Sequence, residues 1–543
     1  MEKSQTDDFL MSCSTCGKHF FTQGEKEFYE SKKLHMPKRC KECRLKKKNE
    51  IASYNLSKTI NELDVNTVKL YDEIIHNWSV EAKKENMAYF YNVKEVEIIS
   101  DGRKSFVIGR KGSGKTAIAQ HLCELEQCDV FAQKLSFKNF PFNILYSLQN
   151  QKEYTVPNQY ISIWKYLIYS YICKNMILNQ NIDSSIRNKL IKLYDDNSLK
   201  TLDKLISKWT SKSFGVEIFG VGLDYEREKQ ESELTWIDAI DILQQTIIDY
   251  CDSAKYFIIF DELDEDYKDF ATEKEFDNYM CMLTSLFKAV QDIRSVFEVT
   301  EKNILPVVFL RSDIYTRIKY SDKNKWNESV INLEWDSSEI QRMLAHRLNV
   351  VLNNDGNNYK GFDDVWYHLF DKDMVEMGNC QARKMDVFTY IERSTEMRPR
   401  DYIQYVKECV SLAKERSEYP ITPQTVKDAD DNFSEYLKGE TIDETFAVIP
   451  EINEILGLLS TIRKQSFQFS VFEREYNDLV ARKVVPKRDV KNILLILFDA
   501  GVIGNKPTMR GQSIFRFSKK SPRFNFNETM LVHRGLYKAL QIF

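Results

Sequence analysis

A chain of 543 residues is longer than one ordinary core can organise, so three or four domains are expected; its 43% hydrophobic and 29% charged residues suit globular folding without lipid. A net charge of -4, from 77 basic and 81 acidic side chains, excludes a globally basic nucleic-acid coat and leaves only local patches for such contact. Eleven cysteines are a sparse, odd set for a disulfide scaffold, and no run reaches the ~18 apolar residues of a membrane span. The N-terminus, Met1 to Asp8, lacks the form of a signal peptide, so a cytoplasmic chain with no membrane partner is expected.

Residues 9–48 carry Cys13-x-x-Cys16 and Cys40-x-x-Cys43, separated by 23 residues, which offer four thiolates for a tetrahedral ion. A segment this small would draw its folding energy from the metal, so structural Zn2+ is expected, with free thiols or an iron–sulfur cluster as alternatives. His19 and His35 read as surface or packing residues. Lys38, Arg39, Lys41, Arg44, Lys46, Lys47 and Lys48 form a basic stripe, either a track for DNA or RNA phosphates or a solvated flank. The strings Cys13-Ser14-Thr15-Cys16-Gly17-Lys18, Gly24-Glu25-Lys26-Glu27-Phe28-Tyr29 and Pro37-Lys38-Arg39-Cys40-Lys41-Glu42-Cys43-Arg44 resemble a small bacterial zinc-ribbon family, which implies a zinc-binding module.

Residues 50–92 read as a helical lead-in with Trp78, Tyr89, Phe90 and Tyr91 as packing anchors. The α/β core follows over 93–336. Ser105 to Thr116 runs from an apolar strand through a glycine-rich turn into a helix, and Gly109, Gly114, Lys115 and Thr116 satisfy G-x-x-x-x-G-K-[ST], the pattern of a nucleoside-triphosphate phosphate loop. At Gly109, Gly112, Ser113 and Gly114 the backbone N–H groups can curl around phosphates at a helix N-terminus; Lys115 would reach the outer phosphates of ATP and Thr116 would ligate Mg2+. Asp129 to Leu135 reads as the second strand. A helical insertion, 158–255, then places Ile161, Trp164, Leu167, Ile168 and Tyr171 at helical spacing as core, while 214–224 reads as a surface hairpin. Tyr256 to Phe260 is the apolar run of a buried parallel strand, and the acids at its tip would sit where open α/β sheets hold ligands. Asp261 would hold Mg2+ through water, and Glu262 would polarise the attacking water; Asp264, Glu265 and Asp266 read as a solvated loop. Leu305 to Leu310 and Val330 to Leu333 complete a five-stranded parallel sheet, the former between the first strand and the acidic one.

From 337 to 438 the pattern is that of a helical lid: Ser338-x-x-Gln341 reads as a helix cap, and Pro399 falls in the first turn of a later helix. An acidic linker, Lys438 to Glu444, leads to residues 448–543. There three helices precede Gly501-Val502-Ile503-Gly504-Asn505 and a pairing strand, Ser513 to Phe517, the order of a winged helix. Lys487, Arg488, Lys491, Lys506, Arg510, Arg516, Lys519, Lys520 and Arg523 would give it a basic face for DNA, or the module mediates protein contacts.

With Lys111-Gly112-Ser113-Gly114-Lys115-Thr116-Ala117, Phe309-Leu310-Arg311-Ser312-Asp313-Ile314-Tyr315 and His533-Arg534-Gly535-Leu536, most of the chain resembles prokaryotic P-loop ATPases of the STAND and AAA+ type, a family met in mobile islands and anti-phage defence loci. The resemblance implies that Arg311, at a strand tip, senses the terminal phosphate, unless it pairs with Asp313 or nearby acids. The string Glu396-Met397-Arg398-Pro399-Arg400-Asp401 resembles that class's second sensor, with Arg398 and Arg400 both possible carriers. The chain lacks an asparagine at the first sensor. It implies an ATP-hydrolysing oligomeric switch or motor, and no nuclease, protease or deaminase motif is visible, which suits a separate effector protein. The alternatives are a nucleotide-holding DNA-binding regulator with little hydrolysis and a sensor scaffold.

Overall fold

The computed structural model describes residues 11–21, 27, 30, 38–40, 42, 43, 46, 65–79, 84–125, 128–137, 156–194, 236–264, 273–320, 323–377, 383–446, 448–507, 512–518 and 522–542. His35, Lys41, Arg44, Lys47, Lys48, residues 214–224, Glu265, Asp266, Arg510, Lys519 and Lys520 lie outside the described residues. The chain divides into two compact units, residues 1–72 with 413–419 and residues 73–412 with 420–543.

In the first unit, β1 (Met11–Ser12) and β2 (His19–Phe21) pair antiparallel. The turn between them closes where the Gly17 N–H donates to the Cys13 carbonyl at 2.9 Å, with Gly17 in a left-handed conformation at φ 72°. Glu42 and Cys43, in the second cysteine pair, are helical. Helix α1 (Val65–Asn77) begins in this unit, and its Tyr71 hydroxyl donates to the Glu418 carbonyl at 2.7 Å.

The second unit is built on a parallel sheet of β3 (Phe106–Gly109), β4 (Val130–Ser136), β5 (Lys255–Asp261), β6 (Ile304–Arg311) and β7 (Val330–Leu333), in the order β4-β5-β6-β3-β7. The expected place of β6, between the phosphate-loop strand and the acidic strand, is the observed one. Alternation along the strands sends side chains to two cores. Val107, Phe257, Ile259, Val307 and Phe309 pack on one face with Ile99 of α2 (Lys94–Ser100) and Leu122 of α3 (Lys115–Cys123). Phe106, Ile108, Ile258, Phe260 and Val308 pack on the other with α4 (Val156–Leu178), α5 (Ser184–Tyr194), α6 (Trp236–Tyr250) and α7 (Glu273–Val299). The segment read as an insertion is therefore a core layer: Trp164 of α4 is fully buried and its indole N–H donates to the Met282 carbonyl at 3.1 Å.

After the short helix α8 (Ser312–Arg317) and β7, the lid opens with α9 (Ser337–Val351). Its cap is Asp336, whose side chain accepts the Glu339 N–H at 2.8 Å in a reciprocal capping box, not Ser338 with Gln341; the helix starts two residues earlier than the expected cap allows. Then come α10 (Phe362–Leu369), the hairpin β8 (Val375–Met377) and β9 (Arg383–Met385), α11 (Val387–Glu392), α12 (Pro399–Glu415) and α13 (Pro423–Thr445). The stretch read as an acidic linker is the last part of α13, because Leu437, Thr441 and Thr445 bury one face at helical spacing.

The C-terminal module contains α14 (Ile452–Ile462), β10 (Ser466–Phe467), α15 (Phe469–Ala481), α16 (Val490–Asp499), β11 (Ile503–Lys506) and β12 (Thr529–Val532), with the strands antiparallel in the order β10-β12-β11. The pairing strand is Thr529–Val532 and not Ser513 to Phe517, of which Ile514 alone bridges to Asn505. Met530 and Val532 bury as a strand face, whereas Phe515 and Phe517 set their rings 5.4 and 5.2 Å from the ring of His533.

Candidate nucleotide-binding site

Strand β3 delivers the chain into the loop at Gly109, and α3 starts at Lys115. Gly112 and Gly114 have φ of 78° and 96°, a left-handed backbone that other residues adopt at a cost. A Cβ at Gly109 would lie 2.5 Å from Ser113 Oγ, and one at Gly112 would lie 3.1 Å from Arg400 Cβ, so the loop has no room for side chains there. Lys115 Nζ donates to the loop's own Gly109 and Arg110 carbonyls at 3.0 and 2.9 Å. Burial holds this ammonium below its ordinary pKa, opposed by Asp264. Ser113 Oγ is buried with no hydrogen-bond partner among the described residues.

Parallel register brings the strand tips level: Gly109 lies beside Arg311, and Ser136 beside Asp261. Asp261 is 2% exposed; its Oδ2 accepts no hydrogen bond from the described residues and has Lys134 Nζ at 3.6 Å. Burial pushes its carboxyl above the usual range, against the pull of Lys134. An anionic oxygen left unsatisfied in a buried position fits a divalent cation, with Thr116 across the same cavity as the second protein oxygen. Glu262 holds φ 59°, a strained backbone for glutamate, and accepts a hydrogen bond from Ser136 Oγ. Arg311, 5% exposed, pairs with Asp313 at 2.8 Å and Asp264 at 3.5 Å, so both expected environments coincide: the strand tip and the neighbouring acids.

A cavity of about 470 Å³ joins these groups, with Gly112, Gly114, Lys115, Thr116, Asp261, Glu262, Arg311 and Arg400 in its lining. Arg398 is outside that lining. It is 2% exposed and held by Asp401 at 2.9 Å, Glu444 at 2.8 Å and Glu396 at 3.6 Å, while donating to the Lys111 carbonyl at 3.2 Å. Arg400 pairs with Glu440 at 2.8 Å and leaves its Nε without a partner among the described residues.

Sequence reasoning missed three residues here. Lys134, at the end of β4, acts through the adjacent strand. Arg347 lines the far end of the cavity with Tyr89, Phe90 and Tyr91; its Nε and Nη1 are buried without partners among the described residues, its guanidinium is 5.8 Å from the Trp78 ring, and burial lowers its pKa to about 10. The available signal was a cation among Ile340, Met343, Leu344 and Leu348, on the apolar stripe of α9. Glu440, the third, was assigned to a linker.

The candidate metal centre is in the first unit. The sulfurs of Cys13, Cys16, Cys40 and Cys43 all lie within 4.8 Å of one another, with Cys16 and Cys40 at 3.7 Å. Zinc–sulfur bonds of about 2.3 Å set tetrahedral sulfurs about 3.8 Å apart, so the set fits Zn2+ with no open position.

Residues 7–51 match the family described as "Probable treble clef domain", and residues 338–440 match "FunZ-associated C-terminal helical domain". The N-terminal zinc-binding module thus matches a treble clef domain, and Glu42 and Cys43 at its second cysteine pair are helical. No curated protein matches the chain. Among solved structures, the chain is similar to Aeropyrum pernix Orc1 in complex with DNA (11% identity, 86% of this chain and 95% of that one, TM-score 0.35). It is also similar to Pyrobaculum aerophilum Cdc6p (12%, 86% and 96%, TM-score 0.29) and to Drosophila ORC bound to DNA (11%, 87% and 91%, TM-score 0.27).

Proposed function

We propose that the chain binds ATP with Mg2+ and hydrolyses it, working as an oligomeric switch or motor. The observation that supports this best is that Lys115, Thr116, Asp261, Glu262, Arg311 and Arg400, spread over nearly 290 residues of sequence, line one cavity. Lys115 and the loop N–H groups would hold the phosphates, and Thr116 with Asp261 would hold Mg2+, which neutralises phosphate charge. Glu262 would orient and deprotonate the attacking water. Arg311 and Arg400 would meet charge on the terminal phosphoryl group, and Arg398 would position the loop through the Lys111 carbonyl. Steady-state turnover tests this: Lys115→Ala should abolish it, and Glu262→Gln should bind ATP yet turn over about 10²-fold or more slowly. Unchanged rates in both would remove the assignment.

A role in anti-phage defence with a separate effector rests on the sequence resemblance alone. DNA contact rests on the exposed Lys487, Lys491, Lys506 and Arg523 of the C-terminal module, whose element order suits a winged helix, and on the exposed side of the treble clef. Arg488 is engaged by Glu451 at 3.1 Å, and half-buried Arg516 lies 3.7 Å from Asp499, so neither belongs to a free basic face. Salt-dependent DNA binding that weakens in Lys491→Ala would support this second reading; binding unaffected by that change would count against it.

A further inference from the structure

The cavity that contains Lys115 also contains carboxylates, which a site for a polyanion should avoid. Glu440 and Asp443 reach it from the end of α13. Glu440 lies 3.2 Å from Lys111 Nζ, inside the phosphate loop, and 2.8 Å from Arg400 Nη1, all three being largely withdrawn from solvent. Glu444, one turn on, holds Arg398, and Arg398 holds the Lys111 carbonyl. The loop's cation and the lid's cation therefore share one carboxylate as their counter-ion. Asp443 lines the same space without pairing to either.

We propose that Glu440 is a specificity-determining residue: a built-in anion that competes with the ligand's phosphates for Lys111 and Arg400, so that a triphosphate displaces it more fully than a diphosphate. The inference deepens the nucleotide reading and rests on it. Two cations cannot pair fully with Glu440 and with an incoming polyphosphate, and the ligand with more negative charge wins the exchange. The consequence extends beyond the cavity, because α13 also anchors the C-terminal module. Asp430 pairs with Arg534 at 3.2 Å, Ser434 Oγ accepts the Ala539 N–H at 2.9 Å, and Gly535 is so close to Leu437 that a Cβ would sit 2.6 Å from its Cδ2. Displacing Glu440 thus acts on the helix that carries the module, a differential contact of the kind that biases a two-state element.

Calorimetric titration of the full chain with Mg2+ and either ATPγS or ADP tests the idea on the wild type, Glu440→Gln, Lys111→Met and Asp443→Asn. Glu440→Gln should tighten ATPγS about tenfold and widen the ATPγS-to-ADP affinity ratio about threefold, because the ligand that displaces the carboxylate more fully bears more of its cost. Lys111→Met, which removes the contested cation, should compress the same ratio by weakening ATPγS, so it serves even where the first variant folds poorly. Asp443→Asn, an equal change of charge in the same cavity, should leave the ratio near that of the wild type. Equal effects of Glu440→Gln on both nucleotides, or a ratio in Asp443→Asn that matches it, would overturn the proposal alone. No uptake of either nucleotide by the wild type would overturn the nucleotide reading and this inference with it.

Discussion

Asp261 and Glu262 are adjacent in the chain and held in different environments by different physics. Asp261 is buried at the end of an apolar strand with one oxygen unsatisfied, while Glu262 turns out of the strand through a left-handed backbone that costs about 1–3 kcal/mol. Such costs persist where function requires them. Replacing Asp261 by Asn should therefore raise the melting temperature of the nucleotide-free protein by a few degrees, since about 1 kcal/mol shifts a large domain by ~2–4 °C. The same variant should lose turnover and the stabilisation that Mg2+ and ATP give the wild type. Differential scanning calorimetry with and without ligand checks both; a variant less stable than the wild type without ligand would show that Lys134 already compensates the charge. Lys115, Thr116, Asp261 and Glu262 were legible because each belongs to a local string. Lys134 and Arg347 were not, because one acts across a strand pair and the other is defined by what its helix faces.

Helices and strands show the same division. The β5 string Tyr256 to Phe260 has one apolar side chain after another because both faces of a central parallel strand are covered, and its buried placement follows from that alone. By contrast α13 reads as a polar, acidic connection, with Gly439 and repeated acids, until Leu437, Thr441 and Thr445 are seen buried against its neighbours. Ser513 to Phe517 departs from the expected strand for a related reason: its aromatic alternation serves a cluster around His533, and Thr529–Val532 takes the ladder. That cluster carries a pH dependence. Burial pushes the His533 imidazole down to about 4, against the pull of Glu396. The folded pKa lies below the unfolded one, so the neutral form's stabilisation is complete above about pH 6.5 and is lost as pH falls toward 4, a change on the order of 3 kcal/mol. Urea midpoints measured across that window should fall more steeply for the wild type than for His533→Phe; parallel slopes would assign the acid sensitivity elsewhere.

Across the whole chain, the metal module and the second unit separate by the source of their stability. The treble clef has four sulfurs around a point and little core, so its folding energy comes from the ion. The second unit has two packed cores on either side of a sheet. A strong chelator should therefore melt the first unit, seen as loss of hydrogen-exchange protection over the described residues 11–21, while protection in β5 and β6 remains. Simultaneous loss in both would mean that the ion also stabilises the second unit.

The order of residues along the chain was enough to place the candidate nucleotide and metal sites and the strands between them, because a phosphate loop, a pair of cysteine knuckles and an apolar run ending in acids are each complete within about a dozen residues or repeat at a set spacing. Tertiary structure alone decided which lid arginine reaches the cavity, which carboxylate holds it, and where Lys134 and Arg347 act. Those outcomes depend on which side chains from distant segments exclude water from one another, and no local spacing encodes that.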